Sequence, residues 1–423
     1  MDCTILKELT HFLESSPSCF QAIDNIKNIL LKEQFVQLQE NEKWSLRRKG
    51  RYFVTRNDSS LIAFTIPEKD MTGMRIIASH SDSPSFRIKE NPELETDGHY
   101  IRLNVEPYGG MLCAPWLDRP LSVAGRVIVK DSSGRYVSRM VNVDRDLVLI
   151  PNLAIHMNRE ANDGYKYNAQ RDMLPLYGSL AAKGTFMKIV AEAAGIPEEE
   201  ILGHDLFLYN RQKPSIWGAS GEFISSGRLD DLQCAFASLK GFLSGEKSEN
   251  MAVCCILDNE EVGSSTKQGA ASTFLYDTLT RVHSSLGCTQ EEYLIHLSDS
   301  FMLSADNAHA VHPNHPDKAD PSNRPYLNGG IVLKFNANQK YCTDGISAAM
   351  FRDLCREAGV PVQTFVNRSD MPGGSTLGNI SNTQVALNTA DIGLPQLAMH
   401  SPYETAGIED TEYLIRAAEK FYC

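Results

Sequence analysis

Imidazole and carboxylate are the side chains that hold hard-to-borderline divalent ions, and a two-metal site draws several of them from different strand ends with one carboxylate shared. The chain offers such donors in five separated segments. His80, in His80-Ser81-Asp82, follows the apolar run 75–79, and Asp82 stands where it could orient the imidazole. A lone histidine at a strand end is more often structural than ligating, so this segment gains weight only from the others. Asp230 and Asp231 open a helical pattern in Gly227-Arg228-Leu229-Asp230-Asp231-Leu232, where N-capping alone would account for one of them. Asp258-Asn259-Glu260-Glu261 directly follows the continuous apolar run 251–257, at the carboxyl end of what reads as a central strand. Open α/β sheets place their sites there. Adjacent glutamates point different ways, so one can ligate a metal while the other holds a water and acts as general base; the plainer alternative is a solvated acidic turn. Asp306, in Ser304-Ala305-Asp306-Asn307-Ala308-His309, and His400, in Ala398-Met399-His400-Ser401, each follow a plausible strand.

Two other segments compete for attention. His309, His312 and His315 lie close together, but Pro313 and Pro316 break any helix that would align the imidazoles, so they read as loop-shaping residues. Pro372-Gly373-Gly374-Ser375-Thr376 lacks the Lys-Ser/Thr ending of a phosphate loop and reads as a substrate-facing backbone loop through Gly373 and Gly374.

The elements that must position these residues are legible as periodicity. Phe20, Ile23, Ile26, Ile29 and Leu30 recur at helical spacing after Ser16-Pro17-Ser18, and short β-rich runs follow at 51–56, 61–66 and 75–79. From 92 to 220 paired β runs such as 122–130 and 136–143 flank a tight turn, with few helical periods. Helical spacing returns at Leu229, Leu232, Phe236, Leu239 and Phe242. Strands are then expected at 251–257, 293–297, 331–335 and 362–366, with a helix from Asp344 that ends at Gly359. The expected fold is α/β: a sheet flanked by helices, formed from residues 1–91 and 221–423, interrupted by a β-rich insertion at 92–220.

At 423 residues the chain exceeds what one core normally organises, and 42% hydrophobic with 22% charged residues is ordinary for a globular enzyme. A net charge of −12 argues against nucleic acid and anionic membrane as partners. No apolar run suggests a membrane span, no leader is recognisable, and the ten scattered cysteines include no Cys-x-x-Cys pair. A cytoplasmic protein is expected.

Taken in order, His80-Ser-Asp-Ser-Pro-Ser-Phe-Arg87, Arg228-Leu-Asp-Asp-Leu232, Asp258-Asn-Glu-Glu-Val-Gly-Ser264, Asp306 through His312-Pro-Asn314, Asn336-Ala-Asn-Gln-Lys-Tyr341 and Met399-His-Ser401 resemble the aspartyl aminopeptidase family across nearly the whole chain. The resemblance implies a zinc exopeptidase-like mixed sheet with an inserted dimerisation domain, and peptide substrates cleaved after an N-terminal Asp or Glu. It implies two zinc ions, with Mn²⁺ or Co²⁺ as alternatives: one on His80, Asp230 and Asp306, the other on Asp230, Glu261 and His400. Glu260 falls on the general base and Asp82 on the residue behind His80. Lys334 falls on the cation that faces the acidic side chain, and His156 on a histidine reaching into a neighbouring subunit's site. Family members often carry histidine where Asn152 stands. Assembly into dimers and tetrahedral dodecamers is implied too. The alternatives are another two-metal amidohydrolase, such as a dipeptidase, carboxypeptidase or deacylase, and a non-catalytic assembly protein that keeps the fold.

Overall fold

A computed structural model describes residues 3–245 and 249–423. Three sheets organise it. The largest has nine strands, ordered Val36–Leu38, Arg51–Arg56, Ser60–Thr65, Met251–Leu257, Met74–His80, Phe301–Ala305, Asn388–Gly393, Ile331–Phe335 and Val362–Val366. Its four middle strands, Met251–Leu257 through Asn388–Gly393, run parallel. Antiparallel neighbours flank them at Ser60–Thr65 and Ile331–Phe335, so the sheet is mixed. Met251–Leu257 is buried along its whole length, as a strand covered on both faces must be.

Helices cover both faces. On one, Leu229–Ser244 and Ile408–Phe421 pack with the N-terminal helices over a core that includes Phe12, Ile26, Phe242, Leu303 and Phe421. Gly241 permits the close approach, because a Cβ there would stand 2.3 Å from Ala418 Cβ. On the other face Phe64, Phe274, Leu279, Met302 and Leu377 form a second core.

A six-stranded antiparallel sheet is drawn from the segment between Ser85 and Asn210, in the order Tyr136–Asn142, Leu121–Lys130, Gly203–Asn210, Ser85–Thr96, Tyr100–Tyr108, Leu176–Ser179, with its own core around Phe86, Trp116 and Phe186. Strand Ser85–Thr96 runs through position 92. A five-stranded sheet, Ser215–Trp217, Phe223–Ser226, Glu404–Gly407, Pro395–Leu397 and Ala308–His309, joins chain segments that are distant in sequence.

One sequence expectation fails. Residues 293–297 are not a strand but part of the helix Gln290–Ser298, and the adjoining sheet strand is Phe301–Ala305. Thr289 and Glu292 form a capping box that starts the helix, which leaves Tyr293 buried and Leu294 and Ile295 exposed. A short apolar run has no periodicity that separates helix from strand, and the cap decides it. No helix among the described residues is long and apolar enough to cross a membrane.

Asp410 opens the last helix as a buried carboxyl that accepts the Asn328 N–H at 2.7 Å and the Gly330 N–H at 2.9 Å, and burial pushes its pKa up to about 7. In the unfolded chain an aspartate titrates near 4. Between these values the native state binds a proton that the unfolded chain has lost. Its contribution to stability is therefore complete below about pH 4 and is lost as pH rises through about 7. Urea unfolding of the wild type and Asp410→Asn across this window should give a stability difference that shifts against the wild type by up to about 1.4 kcal/mol per pH unit. A pH-independent difference would contradict the assignment.

Candidate metal centre

The parallel strands deliver their carboxyl ends to one cleft. Met74–His80 ends on His80, Met251–Leu257 runs into Asp258-Asn259-Glu260-Glu261, and Phe301–Ala305 runs into Asp306. Asp230 arrives from the start of the helix Leu229–Ser244, where the Asp230–Asp231 peptide bond is cis. Arg228 anchors this entry with a left-handed φ of +61°, its guanidinium donating to the carbonyls of Leu13 and Ser16 at the end of the first helix.

The donors gather in two groups that share Asp230. His80, Asp230, Asp231 and Asp306 bring one ligand atom each to within 4.8 Å of one another, as do Asp230, Glu261 and His400. His80, Glu260 and Glu261 form a third such set. Asp230 faces both ways: Oδ1 lies 3.5 Å from His80 Nε2 and Oδ2 lies 3.6 Å from His400 Nε2. Glu261 Oε2 is 3.4 Å from His400 Nε2, and Asp306 Oδ1 is 3.8 Å from His80 Nε2. These are spacings at which an ion fits between donors.

Both imidazoles are set to offer Nε2 as a lone pair. His80 Nδ1 faces the Asp82 carbonyl at 3.1 Å and the Asp82 carboxylate at 3.3 Å; His400 Nδ1 faces the Gly110 carbonyl at 2.5 Å. Neither group can donate, so in each neutral ring the proton sits on Nδ1. Asp82 also accepts the main-chain N–H of Glu260 at 3.1 Å and of Glu261 at 3.2 Å.

The electrostatics call for cations. Burial first, and neighbouring carboxylates second, push Glu260 up to about 8 and Asp258 up to about 7, and raise Asp231, Glu261 and Glu404 well above the usual carboxylate range. Burial works against ionised Asp306 too, but the Lys334 and His80 charges outweigh it and hold that carboxyl low. Asp230 Oδ1, Asp231 Oδ1 and Glu261 Oε1 are buried without a hydrogen-bond partner. Partnerless carboxyl oxygens that face imidazole Nε2 atoms suit divalent ions bound by nitrogen and oxygen, which would replace the protons these groups hold without them.

Lys334 lies on Ile331–Phe335, buried, with Nζ 3.0 Å from the Asn307 carbonyl and 3.5 Å from Asp306 Oδ2. Behind it Asp391 accepts from Thr376 Oγ1 at 2.6 Å and from the Cys342 N–H at 2.6 Å, tying the loops that follow and flank that strand. Gly373 packs so that a Cβ would stand 2.6 Å from Asn367 Oδ1, whereas Gly374 has open space. His156 is outside the donor groups, in an exposed segment beside exposed Leu153, Ile155 and Met157. None of the donor groups includes His309, His312 or His315; His309 lies on a short strand, and the other two rings stand 5.0 Å apart.

Sequence reasoning missed Glu404, whose carboxylate accepts the Asp230 N–H at 3.0 Å and the His400 N–H at 2.7 Å, and Asp231, which accepts the His80 N–H at 3.0 Å. It also missed Tyr108, whose hydroxyl donates to Asp82 at 2.7 Å. The adjacency of Asp231 to Asp230 was the one local signal; Glu404 and Tyr108 have none.

Residues 12–422 match the family model described as aminopeptidase I zinc metalloprotease (M18). The chain is 48% identical over 98% of both lengths to "Probable M18 family aminopeptidase 2" of Clostridium acetobutylicum, and 42% identical to a protein of the same name from Pseudomonas aeruginosa, over 98% of this chain and 97% of that one. Among solved structures, a chain of the Ape4 and Nbr1 complex superposes with a TM-score of 0.95 at 35% identity, covering 99% of this chain and 85% of that one. The S. cerevisiae mApe1 dodecamer gives a TM-score of 0.86 at 27% identity, covering 99% and 96%. The chain belongs to the M18 family of zinc metallo-aminopeptidases, hydrolases that act on N-terminal peptide bonds.

Proposed function

We propose that the chain removes N-terminal residues, preferring Asp and Glu, by a two-zinc mechanism with Glu260 as general base. The observation that carries this reading is the two-sided Asp230, one oxygen toward His80 and the other toward His400. His80, Asp230 and Asp306 would hold one ion, and Asp230, Glu261 and His400 the other; Mn²⁺ or Co²⁺ would suit the same donors. Bound there, the ions supply Lewis acidity toward the scissile carbonyl and lower the pKa of water.

The residues do the rest. Glu260 takes a proton from the attacking water and passes it to the leaving amine. Asp82 holds His80 by its ring and Glu260 by its main-chain N–H, so one carboxylate ties ligand and base together. Lys334 offers an ammonium to the acidic side chain, with the Gly373-Gly374 backbone facing the substrate. Residues 92–220 are the dimerisation domain in this reading. The exposed 151–157 stretch would carry His156 to a neighbouring copy's site, with dimers assembling further. The solved mApe1 dodecamer supports such assembly for this fold.

Two tests follow. Reporter amides of Asp, Glu, Leu and Ala, assayed before and after chelation and zinc return, should show metal-dependent cleavage favouring Asp and Glu. Lys334→Met should lower kcat/KM for Asp amides by about 10- to 100-fold relative to Leu amides, and parallel losses on both would reject the assigned role.

Glu260→Gln should retain both metals by elemental analysis while kcat falls by about 1,000-fold. Asp230→Ala should lose metal as well, so full metal content in that variant would reject the bridge.

A further inference from the structure

Strand Tyr100–Tyr108 of the six-stranded sheet ends on the metal centre, and the three residues Tyr108-Gly109-Gly110 each meet a different member of it. Asn259 Oδ1 accepts from Thr266 at 2.8 Å and Gln268 at 2.7 Å, so its amide N–H is what points at the Tyr108 hydroxyl, 2.8 Å away. That hydroxyl, already accepting, donates to Asp82 Oδ2 at 2.7 Å. Gly109 has φ +77°, and a Cβ added there would stand 3.1 Å from Glu261 Cβ and 3.2 Å from the Glu261 carbonyl oxygen. Gly110 accepts from His400 Nδ1 at 2.5 Å, and two residues on the Leu112 N–H donates to the His400 carbonyl at 3.1 Å.

We infer that Tyr108-Gly109-Gly110 is a positioning segment through which the six-stranded sheet sets zinc affinity. It fixes the tautomer and ring plane of His400, the seat of Glu261 and the carboxylate of Asp82. The inference rests on His400 and Glu261 being metal ligands. A carbonyl cannot donate, so Gly110 forces the His400 proton onto Nδ1 and leaves Nε2 free to bind. Without that acceptor the ring would also populate the tautomer protonated on Nε2, which cannot ligate. Gly109 meets two demands together: left-handed backbone and a close approach to Glu261. The segment acts through residues that bind metal, and its contacts come from a sheet with a separate hydrophobic core.

The test is zinc affinity, measured by competition with a chromogenic chelator on purified full-length variants. Gly109→Ala should weaken binding of one zinc ion on the order of 10- to 100-fold, and Tyr108→Phe by about 10-fold. Tyr177→Phe is the control: it removes a hydroxyl of the same sheet that bonds Thr185 Oγ1 at 2.7 Å, and should bind zinc like the wild type. Wild-type affinity in both segment variants overturns the inference. So does an equal loss in Tyr177→Phe, which would mark a general loosening of the sheet. Should Gly109→Ala fail to fold, Tyr108→Phe decides alone. His400→Ala separates the two levels of argument. Zinc loss there without loss in the segment variants rejects the segment alone; wild-type zinc binding there rejects the ligand assignment and the segment with it.

Discussion

Crowding of carboxyl groups is the constraint that the rest of the structure answers. Asp82, Asp230, Asp231, Asp258, Glu260, Glu261, Asp306 and Glu404 are drawn to the same strand ends, and burial and mutual repulsion resist ionisation of most of them. Taking unpaired carboxylates out of water costs far more than a fold's net stability can absorb. Lys334 is the side-chain cation that bears most directly on this cluster, and its clearest effect is on Asp306. The partnerless oxygens of Asp230, Asp231 and Glu261 mark where positive charge is still needed.

The carboxylates split into those that face the donor groups and those spent on holding them. Asp82, Asp231 and Glu404 accept main-chain N–H groups of Glu260, Glu261, His80, Asp230 and His400. A carboxylate oxygen bonded to backbone is fixed in orientation, and Asp231 keeps its second oxygen turned to the donor group. The positions of His80, Asp230, Glu260, Glu261 and His400 thus derive from main-chain geometry, which strand register sets more tightly than side-chain packing does. The five-stranded sheet belongs to the same device. It pairs Ser226 with Glu404 and Gln396 with Ala406, bringing the approaches to Asp230 and His400 side by side.

What the sequence disclosed and what it hid follow one physical line. His80, Asp258-Glu261 and Asp306 were legible because each ends an apolar run, and an acid or imidazole at the carboxyl end of a buried strand needs an explanation. The strands 251–257 and 331–335 were legible because their burial demands near-continuous apolar character, and 51–56 and 362–366 because β-branched and aromatic residues recur in them. Glu404, Tyr108 and Gly110 were not, because they act at a distance in sequence and partly through backbone atoms that every residue possesses. The helix 290–298 was missed for a different reason: its apolar face is too short to show a period, and the information lay in Thr289 and Glu292. Pairing His80 with Asp230 and Asp306 came from the family resemblance, since spacing along the chain says nothing about which strand ends become neighbours.

Acidity also bears on substrate choice under the reading proposed above. A chain of net charge −12 repels an acidic peptide at long range, and one buried lysine does not alter that field. At physiological salt, however, charges separated by more than about 8 Å are largely screened. What an N-terminal Asp or Glu experiences on entering the cleft is therefore set by the charges nearest it. Burial disfavours the Lys334 ammonium, but Asp306 and its other anionic neighbours outweigh that and keep it protonated. Asp306 and the Asn307 carbonyl engage two of its three donors, which leaves one for a third acceptor. Metal ions in the paired donor groups would neutralise the carboxylates around it and turn the cleft from a repulsive to an attractive surface for an acid. Metal loading and acidic-residue preference then stand on the same charge balance, and chelation removes both.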